Sequence, residues 1–295
     1  MDVIPLGAGF GAELRGVSMI DVASDHAAYL AVRAAFEEHS IVLLRDQHIE
    51  DDIQVAFSRA FGPLERSKVG SLGQGSFYGR VTNMNAEGKP VPPDHRQIQV
   101  ARANQLWHTD SSFIATPAMA SVLSARIIPP TGGETEFTST RLAWERLSPD
   151  RQAQLRDLTV SHSYANSRDQ IHPELMTPEQ REAMPAVRWR MTWRNPVNGR
   201  RALYIASHAG SIEGMGDNEG KALLAELMAE ATAPGRTYEH TWRAGDVVMW
   251  DNRATMHRGR PFPLDQVRSM IRTTISATDE AGLDAVRPDR ARQAA

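Results

Sequence analysis

The stretch GDVVMWDNRATMHRG, residues 245–259, has the pattern of two short β-strands joined by a tight turn. An apolar run precedes the turn residues Asp251 and Asn252, and a second strand begins after them. The same alternation of short strands and turn clusters recurs from residue 104 onward, in MASVLSARIIP, GETEFTS, DLTVSHSY, AVRWRMTWRN, RALYIAS, TYEHTW and SMIRTTISA. Many short strands bounded by turns predict a mainly β fold, either a sandwich or a barrel.

Helical segments flank and interrupt these strands. Apolar residues recur at helical spacing in four segments: 26–40, 51–61, 139–158 and 217–234. The first helix leads directly into IVLLRDQ, which has the pattern of a buried strand, and the second ends at Gly62 and Pro63. We find neither an internal repeat nor a linker, so the sequence predicts one domain over residues 1–295, mainly β with α insertions and with N-terminal helices flanking the sheets.

Two parts of the chain are predicted to lack regular packing. Residues 64–103 are rich in Gly, Ser, Asn and Pro, with one strand predicted at 79–84, and this composition predicts a long mobile loop at the active site. Residues from about 285 to 295 are predicted to form a frayed tail.

Composition excludes several classes of protein and of site. The chain has 41% hydrophobic residues, a net charge of -3 and no long run of one sign, so we expect a small-molecule partner and no nucleic-acid or membrane surface. The absence of cysteine excludes disulfides, thiolate metal sites and cysteine nucleophiles, so any metal must be bound by His, Asp or Glu. No signal-peptide pattern and no apolar run of about 18 residues is present, so a cytoplasmic location is expected. We also expect a homo-oligomer.

The segment NQLWHTDSSF, residues 104–113, contains two good metal ligands. If it forms a strand, His108 and Asp110 project from the same face, because side chains alternate along a strand. One imidazole and one carboxylate are two thirds of the site that holds non-haem Fe(II) in many oxygenases. A His-x-Asp pair is common by chance, so the pattern needs a second histidine. His257 is the candidate, although taken alone it would more often be a core residue.

Two arginines follow His257. Arg268 and Arg272 lie four residues apart in a predicted strand and would share one face. Charges on a strand face are usually solvated. Arginine is also the preferred bidentate partner of carboxylates, so a pocket with one metal and two arginines would suit two anionic organic substrates.

These residues and the segments around them resemble a known family. The similar segments are GAELRGV, IVLLRDQ, AFSRAFGPLE, NQLWHTDSSF, PPTGGETEF, GRRALYIASHAGSIEGM and DVVMWDNRATMHRGRPF. In order and spacing they resemble the Fe(II)/2-oxoglutarate-dependent dioxygenases of the taurine and 2,4-dichlorophenoxyacetate group, over nearly the whole chain. NQLWHTDSSF, QREAMPAV and SHAGSIEGM resemble the aryloxyalkanoate branch, the phenoxyacid herbicide enzymes, better than the taurine enzymes.

The resemblance implies a double-stranded β-helix, or jelly roll, with His108, Asp110 and His257 as the catalytic iron ligands. It implies that Thr135 and Arg268 bind the distal carboxylate of 2-oxoglutarate. The expected cofactor is Fe(II), with 2-oxoglutarate and O2 as cosubstrates.

The resemblance also implies the substrate and the reaction. Arg272 would meet the acid group of an aryloxyalkanoate such as 2,4-dichlorophenoxyacetate. Hydroxylation next to the ether oxygen would release a phenol and a 2-oxo acid, coupled to formation of succinate and CO2.

Other polar residues have two interpretations each. His208 matches a histidine of the aryloxyalkanoate enzymes and could line the substrate pocket, or it could make only a structural hydrogen bond. Lys68 could meet the substrate acid as the loop closes, or it could be a solvated surface lysine. His162 and His240 have no ligand partners nearby in sequence and are predicted to be structural.

Three alternative functions remain open at the level of sequence. The same chemistry could act on an alkyl sulfonate or a sulfate ester, because Arg272 would bind either anion. The protein could be a non-catalytic jelly-roll binding protein. Two histidines and an aspartate could also hold Zn(II) in a hydrolytic enzyme.

Overall fold

The computed structural model describes residues 1–66 and 75–288. Within these ranges the helices are α1 (Met19–Ser24), α2 (His26–His39), α3 (Asp51–Phe61), α4 (Arg96–Ala101), α5 (Thr140–Glu145), α6 (Pro149–Leu155), α7 (Tyr164–Asp169), α8 (Pro178–Ala183), α9 (Asp217–Ala231) and α10 (Leu283–Val286). The strands are β1 (Asp2–Pro5), β2 (Ala12–Arg15), β3 (Ile41–Leu44), β4 (Gly79–Thr82), β5 (Ala118–Ile127), β6 (Thr135–Ser139), β7 (Thr159–His162), β8 (Val187–Arg190), β9 (Thr192–Arg194), β10 (Arg201–Leu203), β11 (Ala209–Ile212), β12 (Thr237–His240), β13 (Val247–Asp251), β14 (Thr255–Gly259) and β15 (Ser269–Ser276).

The largest sheet has seven strands in the order β1-β2-β3-β13-β5-β15-β4. Its strand pairs are antiparallel except β2 with β3, which run parallel. β13 lies between β3 and β5 and is buried along its whole length, which explains the uninterrupted apolar run of VVMW in the sequence.

Both faces of this sheet are covered, because the side chains of β13 alternate between two different cores. Val247 and Met249 belong to the core that contains Phe36 of α2 and Phe57 of α3, whereas Val248 and Trp250 belong to a second core with Phe137 of β6. The alternation follows from the period of two in a strand. The seven-stranded sheet therefore lies between the N-terminal helices and a smaller sheet of order β12-β6-β14.

A third core lies on the other face of the smaller sheet, because Met256 is adjacent to His257, which pairs with Phe137. It joins Met256 of β14 to Val160 of β7, to Ile212 of β11 and to Leu224 and Leu227 of α9. The two predicted helical insertions, which form α5, α6 and α9, contribute to this core and cover that face. Among the described residues, none of the helices combines the length and apolar character needed to cross a bilayer.

The described part of segment 64–103 contains the strand predicted at 79–84, as β4, and also a helix and a 3₁₀ turn that its composition does not predict. β4 pairs with β15, with Val81 opposite Met270, and α4 precedes a 3₁₀ turn at Arg102–Gln105. Polar side chains fix the strand in place: the Thr82 hydroxyl donates to Arg268 O, and the Asn83 amide donates to Leu264 O and Gln266 O. Hydrogen bonds thus replace the apolar burial that the segment lacks, while its predicted mobility stays a prediction. Residues 67–74 lie outside the described residues.

The first residues of the predicted tail are packed and not frayed as the sequence predicts. Leu283 and Val286 of α10 are buried in the core that contains Trp193 and Phe36. The chain therefore stays packed through the part of 285–295 that the structure describes, and residues 289–295 lie outside it.

A buried ionic network ties α2 to the turn that follows β13. Arg253 bonds to Glu37 Oε2 at 2.8 Å through Nη2 and to Asp251 Oδ1 at 2.8 Å through Nε. The same Glu37 oxygen accepts a hydrogen bond from the Asn195 amide. Burial raises the pKa of Glu37, but the charges of Arg253 and Arg33 and the Asn195 hydrogen bond outweigh it and hold the pKa below the usual range. The carboxylate is therefore ionised in the folded protein.

Replacing Glu37 by alanine should destabilise the fold by about 3 kcal/mol or more, because it leaves the buried Arg253 with one of its two carboxylates missing. The measurement is the free energy of unfolding in urea for Glu37→Ala. Its matched control is Glu38→Ala, the next residue of α2, whose side chain is 62% exposed and pairs with Arg200 at 3.4 Å. Equal stability losses in the two variants would contradict the assigned importance of the buried network.

Candidate active site

His108 and His257 are brought together by a backbone bridge. The His108 N–H donates to His257 O at 3.0 Å, and the His257 N–H donates to His108 O at 2.8 Å. Their ring centroids are 4.1 Å apart. Ligand atoms of His108, Asp110 and His257 all lie within 4.8 Å of one another, and the three residues are buried. The structure thus places the three predicted metal ligands in one group.

The segment around Asp110 is not the strand that the sequence predicts. Only His108 forms a bridge, and residues 110–113 form a turn in which Ser111 has a φ of 55°. Asn252 causes the departure, because its backbone oxygen accepts from Thr109 Oγ1 at 2.7 Å and its Oδ1 accepts from Asp110 N at 3.0 Å. Asp110 therefore meets the histidines through a turn and not through the alternation of a strand.

The three side chains have the protonation states that bind a metal. Burial raises the pKa of Asp110, but the charge of Arg272 and the hydrogen bond from Ser121 outweigh it, so the pKa lies far below the usual range. Burial lowers the pKa of both His108 and His257. An ionised carboxylate next to two neutral imidazoles is the ligand set that a divalent transition metal requires.

The orientation of the rings also fits a metal. Nδ1 of His108 lies 2.7 Å from Leu106 O, so it carries the proton and leaves Nε2 with its lone pair available. Nε2 of His257 lies 3.7 Å from Asp110 Oδ2. A donor set of two imidazole nitrogens and one carboxylate therefore converges on one point.

Asn252 and Ser121 hold the carboxylate of Asp110, a role that the sequence analysis missed. The Asn252 amide nitrogen donates to Ser121 Oγ at 3.0 Å, so the single hydroxyl proton of Ser121 is directed to Asp110 Oδ2 at 2.7 Å. The Asn252 amide oxygen accepts from Asp110 N and from Trp250 Nε1. The sequence predicts only a turn at Asn252, because nothing in its local sequence indicates these distant partners.

Replacing Ser121 by alanine should weaken Mn(II) binding by about tenfold or more, because outer partners of ligating carboxylates orient them. The dissociation constant can be measured by electron paramagnetic resonance. The matched control is Ser124→Ala on the same strand, a buried serine whose hydroxyl bonds to Gln54 Oε1 at 2.6 Å, away from the carboxylate. Equal metal affinity in the two variants would show that Ser121 does not position Asp110.

Arg268 is a buried cation that forms no ion pair with an acid among the described residues. The residue precedes β15 and is 8% exposed; Nη2 donates to Gly133 O at 3.1 Å, and Nε has no hydrogen-bond partner among the described residues. Burial lowers its pKa to about 10, and the charge of Glu134 only partly offsets this. A β-carbon at Gly133, where φ is 77°, would lie 3.1 Å from Arg268 Nε, so glycine makes room for the guanidinium.

Thr135 begins β6, two residues after Gly133. Its side-chain oxygen accepts a hydrogen bond from Trp242 Nε1 at 3.0 Å and is buried. Since a hydroxyl has one proton and two lone pairs, this contact leaves the Thr135 proton available to an incoming acceptor.

Arg272, on β15, contacts the metal site directly. Its Nη1 lies 2.9 Å from Asp110 Oδ1, and 37% of its side chain is exposed. One N–H is used by Asp110, and a guanidinium has others to offer a ligand.

The structure places His208 beside the metal ligands. Its ring centroid is 6.2 Å from that of His108 and 4.6 Å from that of Phe113, and Nδ1 lies 3.3 Å from Ser112 Oγ. Burial lowers its pKa, so the ring is neutral. His162 shares the same Ser112 hydroxyl, at 3.1 Å.

The other two candidates lie elsewhere. His240 is buried away from the metal site, with Tyr238 Oη at 3.0 Å and Asp246 Oδ2 at 3.2 Å from its two ring nitrogens. These contacts agree with a structural role. Lys68 lies outside the described residues.

Two imidazoles and one carboxylate, together with a buried guanidinium that forms no ion pair among the described residues, are the features of non-haem iron oxygenases that bind an organic acid. The model of the family described as "Taurine catabolism dioxygenase TauD, TfdA family" matches residues 2–274. The chain belongs to this family.

Three similar proteins have informative names. An alpha-ketoglutarate-dependent 2,4-dichlorophenoxyacetate dioxygenase of Cupriavidus pinatubonensis is 39% identical over 82% of this chain and 86% of its own length. An (S)-phenoxypropionate/alpha-ketoglutarate-dioxygenase of Sphingobium herbicidovorans is 31% identical over 93% of this chain and 94% of its own. The crystal structure of AAD-2 in complex with Mn(II) and N-oxalylglycine is 36% identical, with a TM-score of 0.88 over 95% of this chain and 99% of that one.

Proposed function

We propose that the protein is an Fe(II)/2-oxoglutarate-dependent dioxygenase that hydroxylates an aryloxyalkanoic acid such as 2,4-dichlorophenoxyacetate, with cleavage of the ether to a phenol and a 2-oxo acid. The observation that carries the proposal is the buried group of His108, Asp110 and His257 beside Arg268, a buried cation that forms no ion pair with an acid among the described residues. The names of the similar dioxygenases support the substrate class. The alternative is the same chemistry on an alkyl sulfonate or sulfate ester.

In this proposal, His108, Asp110 and His257 hold Fe(II). The iron, when bound, activates O2 together with 2-oxoglutarate, which is converted to succinate and CO2. The protein keeps the ligands ready: the Leu106 carbonyl fixes the tautomer of His108, and Ser121 and Arg272 keep Asp110 ionised and oriented. Little reorganisation is then needed when the metal enters.

Arg268 and Thr135 bind the distal carboxylate of 2-oxoglutarate. The guanidinium forms no ion pair among the described residues, and the Thr135 proton is available because Trp242 already donates to its oxygen. A carboxylate placed here compensates the buried charge, which favours a dianionic cosubstrate.

Arg272 and His208 face the organic substrate. Arg272 offers its remaining N–H groups to the acid, and neutral His208 offers a ring nitrogen to the acid or the ether oxygen. Lys68 is proposed to meet the acid as the segment 64–103 closes.

The remaining expectations belong to the same proposal. The smaller and larger sheets face each other across one core, which favours a double-stranded β-helix. Each pair of neighbouring cores shares a sheet, which favours one domain over the chain. A cytoplasmic location and a homo-oligomeric state are proposed from the sequence alone.

The decisive test is succinate formation from 2-oxoglutarate with Fe(II) and ascorbate under air. Addition of phenoxyacetate should raise the rate severalfold and release phenol in proportion to succinate. Addition of an alkyl sulfonate or an alkyl sulfate should have little effect. Stimulation by these anions and not by phenoxyacetate would favour the alternative, and no succinate with any of them would reject the proposal.

The variants His108→Ala, Asp110→Ala and His257→Ala should each lose nearly all turnover and bind Mn(II) much more weakly, because each removes one of three metal ligands. His240→Ala is a control histidine that is buried in the fold but distant from the metal group. It should keep its metal affinity when assayed as folded protein, even if its stability falls. A ligand variant with the metal affinity of the unmutated protein would remove that residue from the set.

Replacement of Arg268 and replacement of Arg272 should change the Michaelis constants of different substrates. Arg268→Ala should weaken the binding of 2-oxoglutarate by about tenfold or more, since a charge-assisted hydrogen bond contributes roughly 1.5–3 kcal/mol. Because Arg272 also contacts Asp110, its variant is assayed at a saturating concentration of Fe(II). Under that condition Arg272→Ala should instead weaken binding of the organic acid and leave the affinity for 2-oxoglutarate largely intact. Michaelis constants for both substrates measure this, and equal effects of both changes on both constants would reject the division of roles.

A further inference from the structure

Arg168, on α7, is a second buried cation that the proposed mechanism does not use. The residue is 8% exposed, and its Nε has no hydrogen-bond partner among the described residues. Its Nη1 donates to the neutral Ser167 hydroxyl at 2.8 Å. In the part of the chain that the structure describes, no carboxylate forms an ion pair with it, and burial lowers its pKa, which the interaction and hydrogen bond with Tyr164 only partly offset. A buried charge without a counter-charge costs the fold several kcal/mol, so it calls for an explanation.

The other buried arginines show why this is unusual. Arg253 is bonded to both Glu37 and Asp251, and Arg141 lies 3.7 Å from Asp251. Arg268, like Arg168, forms no ion pair with a carboxylate among the described residues. In the proposed function the distal carboxylate of 2-oxoglutarate supplies its counter-charge. By the same physical reasoning Arg168 is also suited to an anion that is not part of the protein.

A row of rings connects Arg168 to the metal site. Its guanidinium carbon lies 3.8 Å from the centroid of Tyr164, whose ring is 4.8 Å from that of Phe113. Phe113 in turn packs against His208 at 4.6 Å, and His208 lies 6.2 Å from His108. The charge of Arg168 adds to burial in lowering the pKa of both histidines, as expected for a cation on the same side of the molecule. The guanidinium is therefore connected to a metal ligand by a series of ring contacts, and its charge acts on both His108 and His208.

The cation nearer to the metal is already partly used. Nη1 of Arg272 lies 2.9 Å from Asp110, so much of its charge is compensated within the protein. An organic acid entering the pocket would find the uncompensated charge on Arg168.

We propose that Arg168 is a substrate-binding residue that joins Arg272 in holding the acid group of an aromatic organic acid, while Phe113 and Tyr164 pack against the ring. This inference rests on the proposed function, because it concerns the substrate of the same site. It makes the pocket selective for an amphipathic substrate with one acid group and one aromatic ring. A guanidinium stacked on an aromatic face keeps its in-plane N–H groups free for a carboxylate, which makes the arrangement suitable.

The competing explanation is a structural role through the Tyr164 and Ser167 contacts, and stability separates the two. If Arg168 is structural, Arg168→Met should lower the melting temperature of the ligand-free protein. If Arg168 waits for an anionic ligand, removing its uncompensated charge while keeping an apolar contact with Tyr164 should leave that temperature unchanged or raise it.

Binding is measured by calorimetry with Mn(II) and 2-oxoglutarate present and O2 excluded, so that no turnover occurs. Phenoxyacetate is compared with phenoxyacetamide, its neutral analogue. Arg168→Met should weaken the binding of phenoxyacetate about tenfold or more, because the charge-assisted hydrogen bonds to its carboxylate are lost. The binding of the amide should weaken by less than about threefold, because the amide carries no charge. Arg168→Lys should fall between, because it keeps the charge and loses the planar fork. The affinity for 2-oxoglutarate should not change.

The control is Arg151→Met, which removes an arginine on the surface of α6 that pairs with Glu226. It should leave all three affinities unchanged. Unchanged phenoxyacetate binding in Arg168→Met, equal losses for acid and amide, or a lowered melting temperature would each overturn the assignment. These outcomes differ from failure of the proposed function, in which the unmutated enzyme itself would make no phenoxyacetate-dependent succinate.

Discussion

The backbone bridge between His108 and His257 is the constraint on which the rest of the site depends. Two hydrogen bonds join a loop to β14, and β14 is itself held by β6 along five residue pairs. Because the peptide groups are paired, the two imidazoles have little freedom to separate. Asp110 then needs only to turn back toward them, and the Asn252 side chain sets that turn through contacts with Thr109 and Asp110. The arrangement exists before any metal is bound, which is a general property of sites built on regular structure.

Uncompensated charge distinguishes the two arginines proposed to bind ligands from the arginine of the buried network. The network of Glu37, Arg253 and Asp251 is as deeply buried as the metal group, yet its charges are matched within the chain. Arg268 and Arg168 are each 8% exposed, and no carboxylate among the described residues forms an ion pair with either. In the proposed function a bound anion would offset the cost of these two buried cations. The stability of the ligand-free protein and its affinity for ligands would then be opposed at these two positions.

The sequence predicts the regular elements well where one local pattern determines them. The helical periodicity at 26–40 corresponds to α2, and the apolar run before Asp251 corresponds to β13, because burial of one face or of both faces leaves a direct trace in composition. The three candidate metal ligands are not determined by their local pattern, because a His-x-Asp pair is common by chance. Family resemblance, more than spacing, connected His257 to the other two.

What the sequence could not predict depends on contacts between distant residues. The turn at Asp110 follows from Asn252, and the helix α4 within segment 64–103 has no counterpart in the sequence prediction. The sequence analysis makes no prediction for Arg168, because burial without a counter-charge is a property of three-dimensional surroundings.

The strand order of the large sheet has a consequence for how the protein is made. β13 and β15 are inserted on either side of β5, so the middle of the sheet is completed by strands from the last fifth of the chain. During synthesis, His108 and Asp110 leave the ribosome long before His257 and Arg272. The emerging chain therefore presents an incomplete ligand set, and iron capture is postponed until the sheet has closed around it. Such a topology, rich in contacts between distant residues, folds slowly, and the delay keeps a reactive metal away from a chain that could not yet control it.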